Sequence, residues 1–379
     1  MQKGFLNQYN MYKSTEKMLC LELDDGVILP RIWEEDSPIW GKGGVCNSQG
    51  EFVGLSEYHG GWAEHGGYYS WEEEEYLDED VLYFGVFFNH WGHFLVDLIG
   101  RMWYCVRFSK ETQHMKVAYL GEEEPKGNYL QFFELLGVQQ KQLIHITKPS
   151  RCRKVIVPQF SCRPCIWYTE EYEEIFDSII EKVDAETPFA TDKPNNQKIY
   201  FSRLNLAKAR ASEFGEEWVA KWMEYNGYDI ISPEKLSLKE QIYLWNTAEE
   251  IVCLNGSIPI NIIFSQNRNL ELTVLNKTKL VHKNLDLFLL IRPCSIMFLD
   301  IYFEPLKKYP KSLGEGPFMY RINEDVYEFS KEKNLRIPFS KWQIRLQFAG
   351  NYIKLLLAVL DIKGKIRRVL FELYRRMKK

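Results

Sequence analysis

The chain has 379 residues, of which 45 % are apolar, 26 % charged and 15 % aromatic, with a net charge of −4. That mix excludes a wholly disordered chain, and the length suffices for about two domains with cores of their own. The apolar runs fall short of the ~18 residues of a membrane span, and the first residues lack an apolar run of signal length, so neither a spanning helix nor secretion is expected.

Eight cysteines without a secretory signal read as reduced thiols. Cys162 and Cys165 are the only close pair, and no fourth ligand stands at zinc-site spacing, so no metal is expected there. Asn255-Gly-Ser and Asn276-Lys-Thr match the glycosylation pattern and are read as chance. Residues 341–379 hold eleven Lys or Arg against two acids, a net of +9 that leaves −13 on the rest. A basic tail on an acidic body points to a negatively charged partner surface; no nucleic-acid partner is expected.

In chain order, residues 1–80 read as short strands and glycine-aromatic loops, with a solvated acidic run at 72–75. An apolar strand at 81–88 is followed by a helix over 92–108, a strand at 116–120, a helix at 129–136, and strands at 142–146 and 154–157. A helical stretch near 170–183 leads into 184–197, rich in Pro and Asn, which reads as a linker. A second series follows: strand 198–201, helix 213–226 closed by Gly227, and strand 228–231. A helix over 238–249 is opened by the capping box of Ser237 and Glu240. Strand 251–254, a helix start at Ser257 and Pro259 and strand 270–275 complete it. Strands alternating with helices predict an α/β fold of two doubly wound, Rossmann-like domains facing across a cleft, with ligands at the carboxyl ends of the strands. The expected boundaries are 1–190 for a first α/β domain, 191–300 for a second, Rossmann-like domain and 301–379 for a basic amphipathic helical extension.

Three motifs fall just after strands. His90, His93, Asp97 and Arg101 recur at i, i+3, i+7 and i+11, one stripe of an otherwise apolar helix. Four ionisable groups on a buried helix are costly unless paired or facing a polar cleft. They are therefore either a structural network or a catalytic face, on which one of His90, His93 and Asp97 acts as general base. Arg203, Lys208 and Arg210 follow a strand end and suit a diphosphate. Asn255, Gly256, Ser257 and Asn261 join a strand to a helix start that suits a phosphate. Glu271, on the next strand, is a candidate for ribose hydroxyls or an ordinary strand carboxylate.

Taken together, Asn89-His-Trp-Gly-His93, Asp97, Arg101, Ile199-Tyr-Phe-Ser-Arg203, 227–234, 236–241 with Gln241, Asn255-Gly-Ser, Asn261, Phe264 and Leu270-Glu-Leu272 resemble the glycosyltransferases of family sixty-one. That group includes plant arabinoxylan xylosyltransferases, animal O-linked N-acetylglucosaminyltransferases and bacterial capsular polysaccharide proteins. The resemblance runs over roughly 83–275 and has two departures. Asn255 stands where the family usually has histidine, and its arginine-rich run is thinned to Ala207-Lys-Ala-Arg210. It implies a GT-B-type, inverting, metal-independent transferase that needs no cofactor and binds its nucleotide-sugar donor in the C-terminal domain.

The expected role is surface or capsular polysaccharide assembly on a lipid-linked glycan acceptor, in the cytoplasm and peripheral at the inner face of the plasma membrane. The basic tail would dock on an anionic membrane surface, or pack on the enzyme or a second subunit as a homodimer. The rival functions are a transferase acting on protein and an inactive glycan-binding scaffold. A Rossmann oxidoreductase would want Gly-x-Gly-x-x-Gly after its first strand, which is absent.

Overall fold

The computed structural model describes residues 2–3, 10–189, 197–280 and 284–360. The chain is a mixed α/β protein with two principal sheets. In the first, four parallel strands run in the spatial order Leu143–His145, Lys116–Leu120, Glu75–Val86, Ser150–Pro158. Numbered along the chain this is 3-2-1-4, with the order reversing between Glu75–Val86 and Ser150–Pro158. Val81 to Phe84 is buried on both faces, as a central parallel strand requires.

That strand is longer than its apolar run. It begins at Glu75, because its acidic first half is held by basic neighbours: Arg153 bonds Asp80 at 2.8 Å and Asp78 at 3.1 Å. Asp78 and Asp80 thus lie within the sheet. Asp24 does too, at the end of strand Cys20–Asp24, which pairs antiparallel with Ser150–Pro158. Val27–Ile32 and Lys42–Cys46 extend the same edge.

The second sheet has the order Gln2–Lys3, Ser295–Asp300, Glu271–Asn276, Glu250–Leu254, Lys198–Phe201, Asp229–Ile231, parallel except for Gln2–Lys3. Its five parallel strands follow the doubly wound order 2-1-3-4-5, which reverses between Lys198–Phe201 and Glu250–Leu254. Strand Phe318–Met319 and helix Glu324–Glu332 contribute Phe318, Val326 and Phe329 to this sheet's core, so its layers continue past residue 300.

The halves share a single apolar cluster. Helix Glu170–Glu186 buries Tyr172, Ile175, Phe176, Ile179, Ile180 and Val183 at helical spacing. Phe176 meets Phe264 and Phe288 of the second half at ring distances of 5.4 and 6.4 Å. An apolar interface of this kind disfavours independent motion of the halves.

Helix Lys341–Val359 is opened by a capping box of Ser340 and Gln343. It turns Gln347, Asn351 and Leu355 inward and leaves Trp342, Leu346, Ile353, Leu357 and, just past its end, Leu360 exposed. No helix among the described residues is long and apolar enough to cross a membrane. Residues 361–379, which carry most of the basic tail, lie outside the described residues.

Candidate functional site

The chain leaves strand Glu75–Val86 at its carboxyl end and reaches His90, whose ring caps the next helix by accepting from the His93 N–H at 3.3 Å. The segment expected as one α-helix is a succession of turns: α over Trp91–His93, π over Phe94–Leu98, 3-10 over Ile99–Arg101 and α again over Trp103–Arg107. A π turn inserts one residue into the helical ladder, a device frequent at functional sites. His90, His93 and Asp97 stay on one side, while Arg101 is carried off it.

His93 Nδ1 lies 2.8 Å from Asp97 Oδ2. Asp97 is buried, and its other oxygen accepts a very short hydrogen bond from the Tyr58 hydroxyl. Burial and the adjacent carboxylate push the Tyr58 phenol far above its ordinary pKa, so it remains a donor. With Asp97 accepting at Nδ1–H, His93 presents Nε2 as the basic nitrogen, the arrangement in which a carboxylate fixes the tautomer of a general base. His90 is exposed beside it, ring centres 4.2 Å apart.

Arg101 is sealed in the interior. It donates to the carbonyls of Pro158 (2.9 Å), Phe84 (3.3 Å), Leu55 (2.9 Å) and Glu57 (3.0 Å), and its guanidinium lies 4.0 Å from the Phe160 ring centre. Burial lowers its pKa to about 10, so it stays charged at neutral pH. Gly85 makes room for it: at φ +107°, a Cβ there would stand 2.9 Å from Arg101 Nη1. By holding the carbonyls of Leu55 and Glu57, Arg101 sets the loop that delivers Tyr58. It is a positioning residue, not a cleft group, because its donors are spent on backbone.

The opposite wall comes from the second sheet's reversal point, where Ser202-Arg203 and Asn255-Gly256-Ser257 leave adjacent strands. Arg203 is held by the buried Glu213 through Nε (3.2 Å) and Nη2 (3.1 Å). Glu213 also accepts from the Tyr320 hydroxyl at 2.8 Å and lies 3.4 Å from Lys277 Nζ. Burial raises the Glu213 pKa, but Lys277 and Arg203 outweigh it and hold the carboxyl below its ordinary value. Two cations against one carboxylate leave this wall positive.

Lys277 has little solvent exposure and lies 4.2 Å from the Phe318 ring centre. Its position just beyond strand Glu271–Asn276 carried the signal; in the sequence it was masked by the Asn276-Lys-Thr pattern. The Asn255 sequon is closed to glycosylation as folded. Asn255 is buried and donates to Asn276 Oδ1 at 2.9 Å, and its own Oδ1 has no partner. An unsatisfied buried acceptor costs about 1–3 kcal/mol.

Two adjoining recesses, sharing Arg203 and Ser257, form the cleft. One, of about 670 Å³, is lined by His90, Gly92, His93, Gly256, Lys277 and Trp62, among others. The other, of about 480 Å³, has Gln241, Asn261, Tyr129 and Glu234 on its walls. Gln241 spends its amide on the carbonyls of Pro233 (3.0 Å) and Leu236 (3.3 Å), shaping that wall. Asn261 accepts from Trp91 Nε1 at 2.7 Å and so ties the histidine segment to the second half. The approach there is close: a Cβ on Gly92 would lie 3.7 Å from Ser257 Cβ.

Three expectations need correction or limits. Glu271 begins its strand, at the end opposite the cleft, and pairs with Lys333. At ~3.3 Å per residue it is far from any ligand at the carboxyl ends. The helix expected from Ser257 is a six-residue 3-10 segment, Pro259–Phe264, too short for a strong dipole. The side chains of Lys208 and Arg210 lie outside what is described, although the backbone helix Ala207–Ser212 that carries them is clear. All eight cysteines are free, and among the described residues no three His, Cys, Asp or Glu converge as metal ligands.

These features place the chain among α/β proteins that bind ligands where sheet order reverses. Residues 91–270 match the family described as Glycosyltransferase 61. That match supports glycosyl transfer, which in this family implies a nucleotide-sugar donor and a glycan acceptor. No curated protein matches the chain.

Proposed function

We propose that the protein is an inverting, metal-independent glycosyltransferase of GT-B architecture. One observation carries this reading: a His93–Asp97–Tyr58 chain stands across a single cleft from the Arg203–Glu213–Lys277 cluster. The acceptor hydroxyl gives its proton to His93 Nε2 as its oxygen attacks the anomeric carbon. The bond from that carbon to the donor phosphate breaks on the opposite face, which inverts configuration. The electron pair leaves with the nucleoside diphosphate, whose charge Arg203 and Lys277 stabilise in place of a divalent ion. Asp97 holds the imidazolium that forms. The recess bounded by Gln241, Glu234 and Asn261 takes the nucleoside, since it adjoins the cationic wall on the side of the second sheet. Calorimetry with UDP, GDP and CDP, with and without EDTA, tests this: binding should survive EDTA, and its loss there would overturn metal independence.

The acceptor is a lipid-linked glycan of bacterial surface or capsular polysaccharide assembly, and the enzyme works in the cytoplasm, peripheral at the inner membrane face. Helix Lys341–Val359 supports this, because its exposed apolar residues are accompanied by Lys341, Arg345 and Lys354 and by no acidic residue. Glycosylation of protein and an inactive scaffold are weaker readings, since the first has no feature here and the second has no use for a buried Asp97 aimed at a cleft histidine.

A further inference from the structure

The hairpin of Tyr58–His59 and Glu64–His65 carries Trp62 at its tip. Trp62 is 47 % exposed and lines the histidine recess, its ring 4.6 Å from His93 at a tilt of 31°. It is braced rather than loose. Trp40 meets it edge-on at 5.1 Å and stacks on Tyr58 at 5.2 Å, and Tyr58 in turn donates to Asp97. A large indole held open to water inside a recess forgoes burial free energy, at roughly 25 cal/mol per Å² of apolar surface. Polar side chains, Asn284, Ser312 and Glu315 among them, share the walls of that recess with Leu313.

From this geometry we infer that Trp62 is the stacking platform for the acceptor pyranose, a subsite separate from the donor's. A pyranose ring has an apolar C–H face and a polar rim, the complement of an aromatic face ringed by polar side chains. Trp62 belongs to the acceptor because the acceptor hydroxyl must reach His93, and Trp62 is the exposed ring beside that imidazole. The diphosphate is held on the other wall, by Arg203 and Lys277. Trp62 is thus a specificity-determining residue, favouring sugars whose C–H face is flat and unbroken on one side. The inference rests on His93 being the base.

The test is saturation-transfer NMR of the full chain with a panel of methyl α- and β-pyranosides, saturating aromatic protons, beside UDP calorimetry. Wild type should saturate the C–H protons of one sugar face. Trp62→Ala should bind about tenfold more weakly, Trp62→Phe should restore most of the signal, and UDP affinity should not change in either. No face-selective signal with any pyranoside in wild type, or an undiminished one in Trp62→Ala, overturns the platform. His93→Ala should keep the sugar signal, whereas wild-type donor turnover by His93→Ala would remove the base reading and leave the stacking result standing.

Discussion

His93 and Asp97 divide one task. The carboxylate is buried, fixed by Tyr58 and able to bond only Nδ1, while the imidazole is half-buried at the cleft. Removing a general base costs on the order of 10²–10⁴ in rate. His93→Ala and Asp97→Asn should both fall by that much in turnover with little change in melting temperature; normal turnover in both would make the pair structural. On the facing wall, Lys277→Met should weaken UDP binding by about 1.5–3 kcal/mol, the range for hydrogen bonds to charged groups, as should Arg203→Ala, both read by calorimetry. Glu216 sits behind them, accepting from Arg203 N (2.6 Å), Ser202 Oγ (3.0 Å) and Tyr200 (3.2 Å) on one oxygen. Burial pushes its pKa from 4.5 to about 7, opposed by the Arg203 N–H and reinforced by Glu213. The native state therefore holds this proton more tightly than the unfolded chain, and its contribution to stability falls as pH rises from about 4.5 through about 7. Gln keeps an acceptor for all three donors, so Glu216→Gln should flatten that fall in denaturant titrations between pH 5 and 8 and be the more stable protein at pH 8. An unchanged pH profile would contradict it.

The elements that build the site depart from their regular forms where the site needs them to. The π turn at Phe94–Leu98 keeps Asp97 under His93 and sends Arg101 into the core, where four carbonyls take its donors. Arg101→Leu strands those carbonyls, at about 1–3 kcal/mol for a buried unsatisfied group. It should lower the melting temperature strongly and, by loosening the Tyr58 loop, reduce turnover per folded molecule by less than His93→Ala does; full stability with turnover lost as in His93→Ala would return Arg101 to the chemistry. Spacing in the sequence reveals His90, His93 and Asp97 but cannot tell an α turn from a π turn, since the difference lies in backbone hydrogen bonds. For the same reason Arg101 looks coplanar with them. Glu271 misleads because sequence places a residue on a strand without saying which end faces the ligand. Tyr58 and Trp62 are reachable only through tertiary contacts, a hairpin packed from 35 residues upstream of His93, counted from Tyr58, whereas Lys277 stands one step beyond a strand and is hidden by the Asn276-Lys-Thr pattern. The alternation of apolar strands and capped helices, by contrast, is a local pattern, and both parallel sheets follow it.

At the scale of the molecule, two sheets bring the carboxyl ends of their reversal-point strands to one cleft, and a terminal helix presents apolar residues outward. Trp342 is 70 % exposed and Leu346, Ile353 and Leu357 continue its surface. With Lys and Arg near an anionic leaflet worth ~1 kcal/mol each, the full chain should float with anionic but not neutral liposomes at low salt. The double variant Leu346→Glu and Ile353→Glu should lose this. A wild-type dimer in solution that ignores anionic vesicles, and that the double variant dissociates, would show a subunit interface instead. The central claim is glycosyl transfer driven from His93 against a cationic wall, and donor hydrolysis tests it most directly. The full chain is incubated in EDTA with a panel of nucleotide-sugars, and free nucleotide is measured for wild type and His93→Ala. Wild type should hydrolyse at least one donor slowly, at a rate reduced on the order of 10²–10⁴ in the variant. Equal rates in the two proteins, or hydrolysis that EDTA abolishes, would contradict it.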